Sequence, residues 1–373
     1  MKRYRTYICK WIHYNNLINQ YRISIGDSKL KKVLSIINDT NKIVVLCSSL
    51  YQFLIFCALN KVNENTKRVF YIFVVGQKDY ILMKTFKEII ERMKISKDAY
   101  AIYIKKRSEI LTGIGNYKVL MVNRKIYNYF GNRIADVLFI NFNWYKDYIH
   151  FPACRFQEEF NQCIMLEDSP FGYVNHGDSS LTKFIKRLYG LNDSFYKDSK
   201  IKGICVQNPE KYDKKFIEYL SKLDIDVLFG CLSSDGKDEI LKIFLNKHEL
   251  YEMKNIHNQS VGIVFTQCLS EEGYCTEKEK IRYFQEICDF YKQYGTVVLK
   301  RHPRDRTDYG ELCIPVFSGE FPSELFNLCG IKFAFAVGIC TGAINSIKAD
   351  IKINLNENFY IEKTFNLKEI DIL

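Results

Sequence analysis

The chain has 373 residues, of which 47% are hydrophobic, and this is enough for two folded domains with separate cores. A net charge of +11 indicates attraction to anions, but nucleic acid, an anionic membrane surface and a sugar nucleotide all satisfy it. The composition excludes a disordered chain. The 13 cysteines form no CxxC pair; their odd count argues against a disulfide framework, and the position of most of them inside apolar runs indicates a reducing compartment.

The first 40 residues mix aromatic and basic side chains without a strong period. They predict a helical extension that docks on the body of the protein or on a membrane face. No signal peptide is predicted and no apolar run reaches the length of a membrane span. We therefore expect a cytoplasmic protein, with peripheral contact to the inner face of the cytoplasmic membrane left open.

The first strong strand signal is Lys42–Cys47, followed by Ser48 and Ser49 and then an apolar helical run from Leu50 to Leu59. A strand, a small polar turn and a helix form the opening unit of a Rossmann-like domain. The two serines either cap the helix and aim its N–H groups at an anion, or serve as a cap only.

Strand and helix signals then alternate along the chain, which predicts parallel sheets covered by helices on both faces. A polar stretch over residues 232–260 interrupts this alternation. We predict an α/β protein made of two Rossmann-like domains facing across a cleft, over residues 1–255 and 256–373. Further strands are expected at 68–75, 100–104, 136–141, 162–167, 201–207, 261–267, 313–317, 331–337 and 351–355, and helices at 81–93, 181–188, 277–291, 323–328 and 341–349.

The stretch Lys300-Arg301-His302-Pro303-Arg304 follows a β-branched run typical of a buried parallel strand. The carboxyl ends of such strands are where open α/β sheets bind ligands. Pro303 restricts the backbone of His302, and the flanking cations suit a phosphorylated ligand. A surface loop with an incidental histidine is the alternative.

Two acidic pairs follow predicted strands and are candidates for a general base on an acceptor hydroxyl. Glu167 and Asp168 come after one strand of the first domain, and Glu271 and Glu272 come after the first strand of the second. The sequence does not choose between them.

Two further turns of the second domain carry small or acidic residues. Pro322 and Glu324 open a short helix, where the carboxylate can accept hydrogen bonds from ribose hydroxyls. The segment from Gly338 to Ala343 has the small residues of a phosphate cradle, with Thr341 near a helix start and Gly342 permitting close approach.

Metal binding has weak support in the sequence. Asp224-Ile225-Asp226 fits a DxD pattern, but the pattern is frequent in surface turns, and His176-Gly177-Asp178 is interpreted as a turn. The remaining histidines have no partner at metal-ligand spacing.

With these motifs in order, residues 42 to 350 resemble bacterial sialyltransferases, in particular glycosyltransferase family 52 and the related bacterial polysialyltransferases. Lys300 to Arg304 matches the family's His-Pro motif, and Cys340-Thr341 stands where a Ser/Thr pair is expected. Glu271-Glu272-Gly273 fits the D/E-D/E-G motif literally, whereas Glu167-Asp168-Ser169 departs from it by a serine.

The resemblance implies the GT-B arrangement of two Rossmann-like domains and an inverting transfer of sialic acid from CMP-sialic acid to a sugar hydroxyl, without a cofactor or an essential metal. Asp168, Glu167, Glu272 or Glu271 would supply the base, and His302 would protonate or hydrogen-bond the departing phosphate. The other residues that the resemblance implicates in binding the donor are Lys300, Arg301, Pro303, Arg304, Pro322, Glu324, Gly338, Cys340, Thr341 and Gly342, and those near the substrates are Ser48, Ser49, Gln52 and Gln267.

The implied partners are a nucleotide-sugar donor and an oligosaccharide or glycolipid acceptor such as lipooligosaccharide or capsule, with no nucleic acid. A homodimer is left open. The alternatives are a GT-B transferase that uses a UDP-hexose or CMP-Kdo, and a non-catalytic basic binding protein.

Overall fold

In this computed structural model, the residues described are 28–40, 42–62, 68–75, 79–103, 113–131, 137–141, 160–167, 199–212, 214, 217–256 and 260–370. The chain divides into two units, residues 1–236 and 237–373. Two predicted features, the helix over 181–188 and the turn His176-Gly177-Asp178, lie outside the described residues, as does most of the N-terminal extension.

The first unit holds a seven-stranded, all-parallel sheet in the order β3-β2-β1-β4-β5-β6-β7. Its first strand, β1, is almost completely buried because helices cover both faces of a parallel sheet. The strands are β1 (Lys42–Cys47), β2 (Arg68–Val75), β3 (Ala99–Tyr103), β4 (Val137–Asn141), β5 (Gln162–Leu166), β6 (Ile201–Val206) and β7 (Leu220–Lys222).

In the described part of this unit, one helix precedes β1, three connect the strands from β1 to β4, and one follows β7. The second of them, α2, is buried on nearly all sides, which explains why its sequence is apolar all round instead of amphipathic. The helices are α1 (Ser28–Asp39), α2 (Leu50–Val62), α3 (Tyr80–Arg92), α4 (Gly113–Phe130) and α5 (Ile225–Gly230), with a 3₁₀ turn at Pro209–Lys211.

The second unit has a five-stranded, all-parallel sheet in the order β10-β9-β8-β11-β12. Gly262 allows the close packing of β8 on β11, because a Cβ there would lie 1.9 Å from the ring of Phe335. The strands are β8 (Val261–Phe265), β9 (Thr296–Lys300), β10 (Val316–Phe317), β11 (Phe333–Gly338) and β12 (Ala349–Asn354).

The longest helix of the second unit, α8, begins at a reciprocal capping box between Thr276 and Glu279 and buries Phe284 and Tyr291 against the sheet. The helices that follow α5 are α6 (Ser234–Phe244), α7 (Lys247–Ile256), α8 (Glu277–Tyr291), α9 (Glu324–Leu328), α10 (Ala343–Ser346) and α11 (Phe359–Glu362). Two 3₁₀ turns, Lys292–Tyr294 and Gly310–Leu312, complete it.

The division of the chain falls inside the polar stretch 232–260, but earlier than the position between 255 and 256 at which the sequence places it. The reason is that α7 packs on the second unit: Glu249 hydrogen-bonds Ser318, and Met253 contacts Cys329. Polar surface residues on this helix conceal those contacts in the sequence.

Two predicted elements are shorter than expected. The strand predicted to start at Cys313 begins at Val316, because Cys313 has a left-handed backbone with φ 49°. The helix predicted over Thr341 to Ala349 is only Ala343–Ser346, because Ile347 is extended and leads into β12. Of the helices in the described part of the chain, none is both long and apolar enough to cross a bilayer.

In both sheets the strands are added first on one side of the first strand and then on the other side. The crossovers run one way from β1 and then the other, so that β2 and β4 flank it, and β9 and β11 flank β8 in the same manner. In open parallel sheets the ligand crevice lies at the carboxyl ends of the strands at this switch point. The ends of β8, β9 and β11 are therefore where a ligand is expected in the second unit.

Candidate functional site

The turn after β9 carries His302 and Pro303, and it is fastened to the end of β8. The backbone N–H of His302 donates to Thr266 Oγ1 at 3.0 Å, and His302 Nδ1 accepts from the backbone N–H of Arg304 at 3.1 Å. Because Nδ1 is an acceptor, the neutral imidazole carries its proton on Nε2. His302 is thus held as a hydrogen-bond donor through Nε2.

The electrostatic surroundings keep this imidazole neutral. Burial, followed by the nearby cations of Arg304, Lys300 and Lys280, lowers the pKa of His302 to about 3. An anion bound beside these cations would raise that pKa by cancelling part of their field. Without such an anion, His302 is at neutral pH a neutral imidazole with an Nε2–H donor, and not a protonated acid.

Asp305 is the centre of the polar network under the His-Pro turn. Its carboxylate is bonded to the Thr266 hydroxyl, to Tyr309 Oη at 2.9 Å, to the backbone N–H of Thr307 at 3.0 Å and to Lys280 Nζ at 2.6 Å. Asp305 and Lys280 have fully buried side chains. The turn therefore packs on a buried ion pair that local sequence patterns do not predict.

Gly319 lets the next loop pass directly beneath the His-Pro turn. A Cβ at this position would lie 2.5 Å from the carbonyl oxygen of His302 and 2.9 Å from Cα of Pro303. Only glycine fits there without moving the backbone of the turn.

The cations of the motif differ in what they contact. Lys300 Nζ is buried, donates to the carbonyls of Arg301 at 3.2 Å and of Ser318, and lies 4.1 Å from the centre of the Phe321 ring. Burial lowers the pKa of Lys300 to about 7. These contacts point its ammonium into the fold, so its predicted contact with a donor finds no support in this geometry.

Arg301 and Arg304 diverge from the same turn. Arg301 donates to the Thr307 carbonyl at 3.4 Å, and within the described residues its buried Nε has no hydrogen-bond partner. Arg304 forms an ion pair with Glu272 at 2.7 Å, with 35% of its side chain exposed. Arg304 therefore places a partly exposed cation beside His302.

The two neighbouring carboxylates after β8 have different environments. Glu271 Oε2 binds Lys280 Nζ at 2.8 Å, and its Oε1 accepts from the backbone N–H of Arg306 at 2.7 Å. Burial favours the neutral acid, but these hydrogen bonds outweigh it and hold the pKa of Glu271 below its usual value. Glu272 instead pairs with Arg304, so the two carboxylates, although similarly exposed, have different partners.

The loop after β11 is tied to the loop after β8 across the switch point. Gln267 Nε2 donates to the carbonyl of Cys340 at 2.8 Å, and the backbone N–H of Cys340 donates to Asn354 Oδ1 at 3.0 Å. These bonds hold Cys340 in a left-handed conformation with φ 46°. Such a conformation in a non-glycine residue marks a backbone that its surroundings constrain.

The predicted phosphate cradle follows this loop. Thr341 is buried and its Oγ1 accepts from the backbone N–H of Ala343 at 3.3 Å, and a Cβ on Gly338 would lie 2.3 Å from the Thr341 methyl. Gly342 caps α10, which is only four residues long. The dipole of so short a helix is small, so anion binding here would depend on individual N–H groups.

Glu324 opens α9 close to Lys300, and the carbonyl of Pro322 accepts the N–H of Leu325 at 3.1 Å. Burial raises the pKa of Glu324 to about 7, opposed by its own backbone N–H, Ser346 and Lys300. A carboxyl group poised near neutrality can accept or donate a hydrogen bond to a hydroxyl.

In the first unit, Glu167 is a fully buried carboxylate at the end of β5. It accepts hydrogen bonds from Tyr51 Oη at 3.0 Å, Tyr212 Oη at 2.9 Å and the backbone N–H of Gln207 at 2.9 Å. This saturation indicates a structural anchor and not a base. Its neighbour Asp168 lies outside the described residues.

The serines after β1 have the capping role that the sequence offers as one alternative. Ser49 Oγ accepts from the backbone N–H of Gln52 at 3.2 Å, and Ser48 donates to Gln52 Oε1 through its backbone at 3.0 Å and its hydroxyl at 3.1 Å. Gln52 Nε2 in turn donates to the Leu166 carbonyl at 3.1 Å. The cluster joins the ends of β1 and β5.

One aspartate of the DxD sequence has a structural role. Asp224 is the N-cap of α5 and accepts from the backbone N–H of Val227 at 3.1 Å. Among the described residues, no three His, Cys, Asp or Glu side chains converge as metal ligands would.

The part of the chain that carries this site resembles a known protein family. Residues 184–356, just under half of the chain, match the model of glycosyltransferase family 52. The predicted resemblance to this family is confirmed. The family 52 region contains both acidic residues after β8, the His-Pro turn, Glu324 and the loop after β11.

The fold agrees with a solved sialyltransferase structure. The GT-B domain of the Photobacterium damselae sialyltransferase aligns with a TM-score of 0.52 and 10% identity, over 84% of this chain and 90% of that one. At this identity the likeness shows the fold alone, and it confirms the predicted GT-B class. UDP-GlcNAc 2-epimerase from Methanocaldococcus jannaschii aligns with a TM-score of 0.44 and 10% identity, over 86% of this chain and 91% of that one.

A Haemophilus influenzae protein described as uncharacterized is 37% identical over 83 residues. This match covers 22% of the chain and about a quarter, 27%, of that relative's length.

Within the family 52 region, the structure brings together His302, Arg304, Glu271 and Glu272, with Gln267 and Cys340 bonded across the switch point. Sequence reasoning missed the network that supports them, namely Thr266, Lys280, Asp305, Tyr309 and Gly319. Asp305, close behind Pro303, and Thr266, directly after β8, occupy positions that strand-end reasoning could have identified. Lys280 gave no signal, because a lysine on an amphipathic helix is ordinarily exposed.

Proposed function

We propose that this protein is an inverting glycosyltransferase that moves sialic acid from CMP-sialic acid to a sugar hydroxyl of a bacterial cell-surface glycan. The observation that supports this most is the His-Pro turn of the family 52 region, where a neutral His302 offers Nε2–H beside the accessible cation of Arg304. A departing phosphate monoester needs such donors, because negative charge grows on its oxygen as the glycosidic bond breaks.

In the proposed reaction, the acceptor oxygen attacks the anomeric carbon of sialic acid from the face opposite the phosphate. The new carbon–oxygen bond forms as the bond to the phosphate oxygen breaks, CMP leaves, and a carboxylate takes the acceptor proton. His302 and Arg304 stabilise the phosphate. Glu324 and the Pro322 turn hold the cytidine ribose, while Thr341 and its neighbours contact the phosphate.

Glu272 is our proposed base within the described residues. Glu271 has both oxygens committed to Lys280 and Arg306 and a lowered pKa, which makes it a weak acceptor of another proton. Glu272 pairs with Arg304 and hydrogen-bonds the Cys268 thiol, so one of its two partners is neutral, and a bound donor phosphate competes for the other. Asp168 is the alternative base.

We further propose that the reaction needs no metal and no cofactor, since the arginines beside His302 supply the positive field that a divalent cation would supply elsewhere. Activity retained in excess EDTA would support metal independence, and its loss with restoration by Mg²⁺ would contradict it.

The proposed acceptor is an oligosaccharide or glycolipid such as lipooligosaccharide or capsule. The proposed location is cytoplasmic, with peripheral membrane contact, and sedimentation with anionic vesicles tests that contact.

The first experiment is thermal stabilisation by CMP, UDP and GMP, measured in parallel on wild type, His302→Ala and His248→Ala. A ligand at a hundred times its dissociation constant adds about 2.7 kcal/mol to the free energy of unfolding. We expect stabilisation by CMP alone, lost in His302→Ala and retained in His248→Ala, whose histidine is exposed in the same unit. Release of CMP from CMP-sialic acid in the presence of a glycan acceptor then tests turnover.

Other outcomes would redirect the assignment. Stabilisation by UDP and not CMP would replace the donor with a UDP-hexose on the same fold. CMP binding with turnover of CMP-Kdo and not CMP-sialic acid would change the sugar. Binding by none of the nucleotides would leave a non-catalytic basic binding protein.

A further inference from the structure

Lys280 is an unusual lysine because its side chain is completely buried. It lies within the polar layer beneath the His-Pro turn, which consists of Thr266, Lys280, Asp305 and Tyr309. It lies in the first turn of α8, and its ammonium contacts two carboxylates, Asp305 at 2.6 Å and Glu271 at 2.8 Å. These carboxylates belong to different loops, the one after β9 and the one after β8. A single ammonium therefore joins the two loops that carry the reacting groups of the proposed mechanism.

On the β9 side, the connection runs from Lys280 to the backbone of His302. Asp305 binds Lys280 through Oδ1 and the Thr266 hydroxyl through Oδ2, and Thr266 Oγ1 accepts the N–H of His302. The N–H of Asp305 also donates to the carbonyl of His302 at 2.9 Å. Both polar groups of the His302 backbone are thus fixed by the layer that Lys280 anchors.

On the β8 side, the connection ends beside the proposed base. Glu271 precedes Glu272 directly, and its other oxygen accepts the N–H of Arg306 at 2.7 Å. This second bond ties the acidic turn to the His-Pro loop independently of Lys280. The distance between the two loops is therefore set by a pair of bonds to one carboxylate.

A buried ion cluster of this kind is a poor device for stability alone. Removing charges from water costs free energy that the attraction between them recovers only partly, and well-packed neutral side chains of similar volume are often as stable. What the cluster supplies is a fixed geometry, because each charged group accepts only a few partner positions. A site that must hold a hydrogen-bond donor and a base at one spacing benefits from that rigidity.

We propose that Lys280 is a positioning residue of the transferase, which sets the spacing between His302 and the Glu271–Gly273 turn through Asp305 and Glu271. This inference rests on the proposed function for its consequence in catalysis, but not for its consequence in the geometry of His302. Lys280 itself contacts neither substrate, since its side chain is fully buried.

The test compares Lys280→Met with Lys278→Met, a control that removes an exposed lysine from the same turn of α8. In Lys280→Met we expect kcat to fall about 10- to 100-fold, as for other supporting groups of a site, with a much smaller change in KM for the donor. Lys280→Arg should recover part of the loss. Lys278→Met should match wild type.

A second readout does not depend on turnover. The ¹⁵N shifts of the His302 imidazole, assigned with His302→Ala, report which ring nitrogen carries the proton in the ligand-free protein. We expect the Nε2–H form in wild type and Lys278→Met, and a mixture of forms in folded Lys280→Met because the Arg304 N–H no longer meets Nδ1. If wild type proves to have no transferase activity, this readout still decides the geometric part.

Lys280→Met leaves two buried carboxylates without their cation, so it is paired with the neutral triple variant Lys280→Met/Glu271→Gln/Asp305→Asn. A folded triple variant with low kcat and a mixed His302 tautomer supports the proposal. A folded variant whose kcat is within threefold of wild type, or whose His302 spectrum is unchanged, overturns it. Failure of both variants to fold would overturn it as well, since Lys280 would then be required for folding.

Discussion

The backbone N–H of Arg304 donates a hydrogen bond to Nδ1 of His302 at 3.1 Å, so a residue that places a partly exposed cation beside the imidazole also fixes its tautomer. One arginine therefore acts in two ways on the same histidine. Its amide orients the ring. Burial of His302 is the largest cause of its low pKa of about 3, and the charge of the Arg304 guanidinium is the next largest.

The low pKa of His302 predicts a pH-dependent stability. The pKa of a histidine is about 6.5 in the unfolded chain, and that of His302 is about 3 in the folded protein. Between these two pH values the unfolded state therefore binds a proton that the native imidazole does not bind. The free energy of unfolding should therefore fall as the pH drops below 6.5, by at most about 1.4 kcal/mol per pH unit. Urea unfolding of wild type, His302→Gln and the control His248→Ala between pH 7.5 and 5.5 measures this.

We expect the slope to be shallower in His302→Gln and unchanged in His248→Ala. Parallel slopes in all three proteins would show that His302 titrates normally in the folded state.

Lys300 and Arg304 should differ in their importance for nucleotide binding, although both flank the His-Pro pair. Lys300→Met removes a buried ammonium that contacts the Ser318 carbonyl and the Phe321 ring, so CMP should still stabilise the variant. Arg304→Met removes an accessible guanidinium and should weaken CMP binding about tenfold or more, as expected for a charge-assisted hydrogen bond. Calorimetric titration with CMP measures both, and equal losses would contradict the assignment.

Substitution of the two acidic residues after β8 should have different effects, on turnover for Glu272 and on stability for Glu271. Glu272→Gln should lower kcat by about 10² to 10⁴, the range for general bases, while leaving CMP stabilisation intact. Glu271→Gln should lower the melting temperature, because it removes one of the two charged partners of buried Lys280 and weakens the acceptor of the Arg306 N–H. A Glu272→Gln variant with wild-type kcat would move the base to another residue, with Asp168 the first to test.

Gly319→Ala should damage the His-Pro turn without touching any polar group. The added methyl would lie 2.5 Å from the His302 carbonyl oxygen, and overpacking of this kind costs about 1–3 kcal/mol. Gly230→Ala is the matched control, because nothing lies within 4 Å of its Cβ position and α5 is helical there. Thermal melting with and without CMP should show reduced stability and a reduced CMP shift in the first variant only.

Local sequence determined the architecture of this protein. Buried parallel strands need apolar, β-branched runs, and those runs identify β1, β2 and β9 and place His302 and Glu271 beyond strand ends. The α8 helix has the predicted bounds, 277–291, because its apolar period and capping box are both encoded within a few neighbouring residues. The motif order was enough to indicate the resemblance to glycosyltransferase family 52.

Tertiary structure alone decided which motif residues face each other and which are committed to the fold. Glu167 is saturated by two tyrosines distant in sequence, Lys300 turns towards Ser318 and Phe321, and Glu271 is held by Lys280, whereas Glu272 and Arg304 pair near the surface. A charged residue in a motif has the same local pattern in either case. Its role depends on burial and on partners that only the folded chain brings within hydrogen-bond distance.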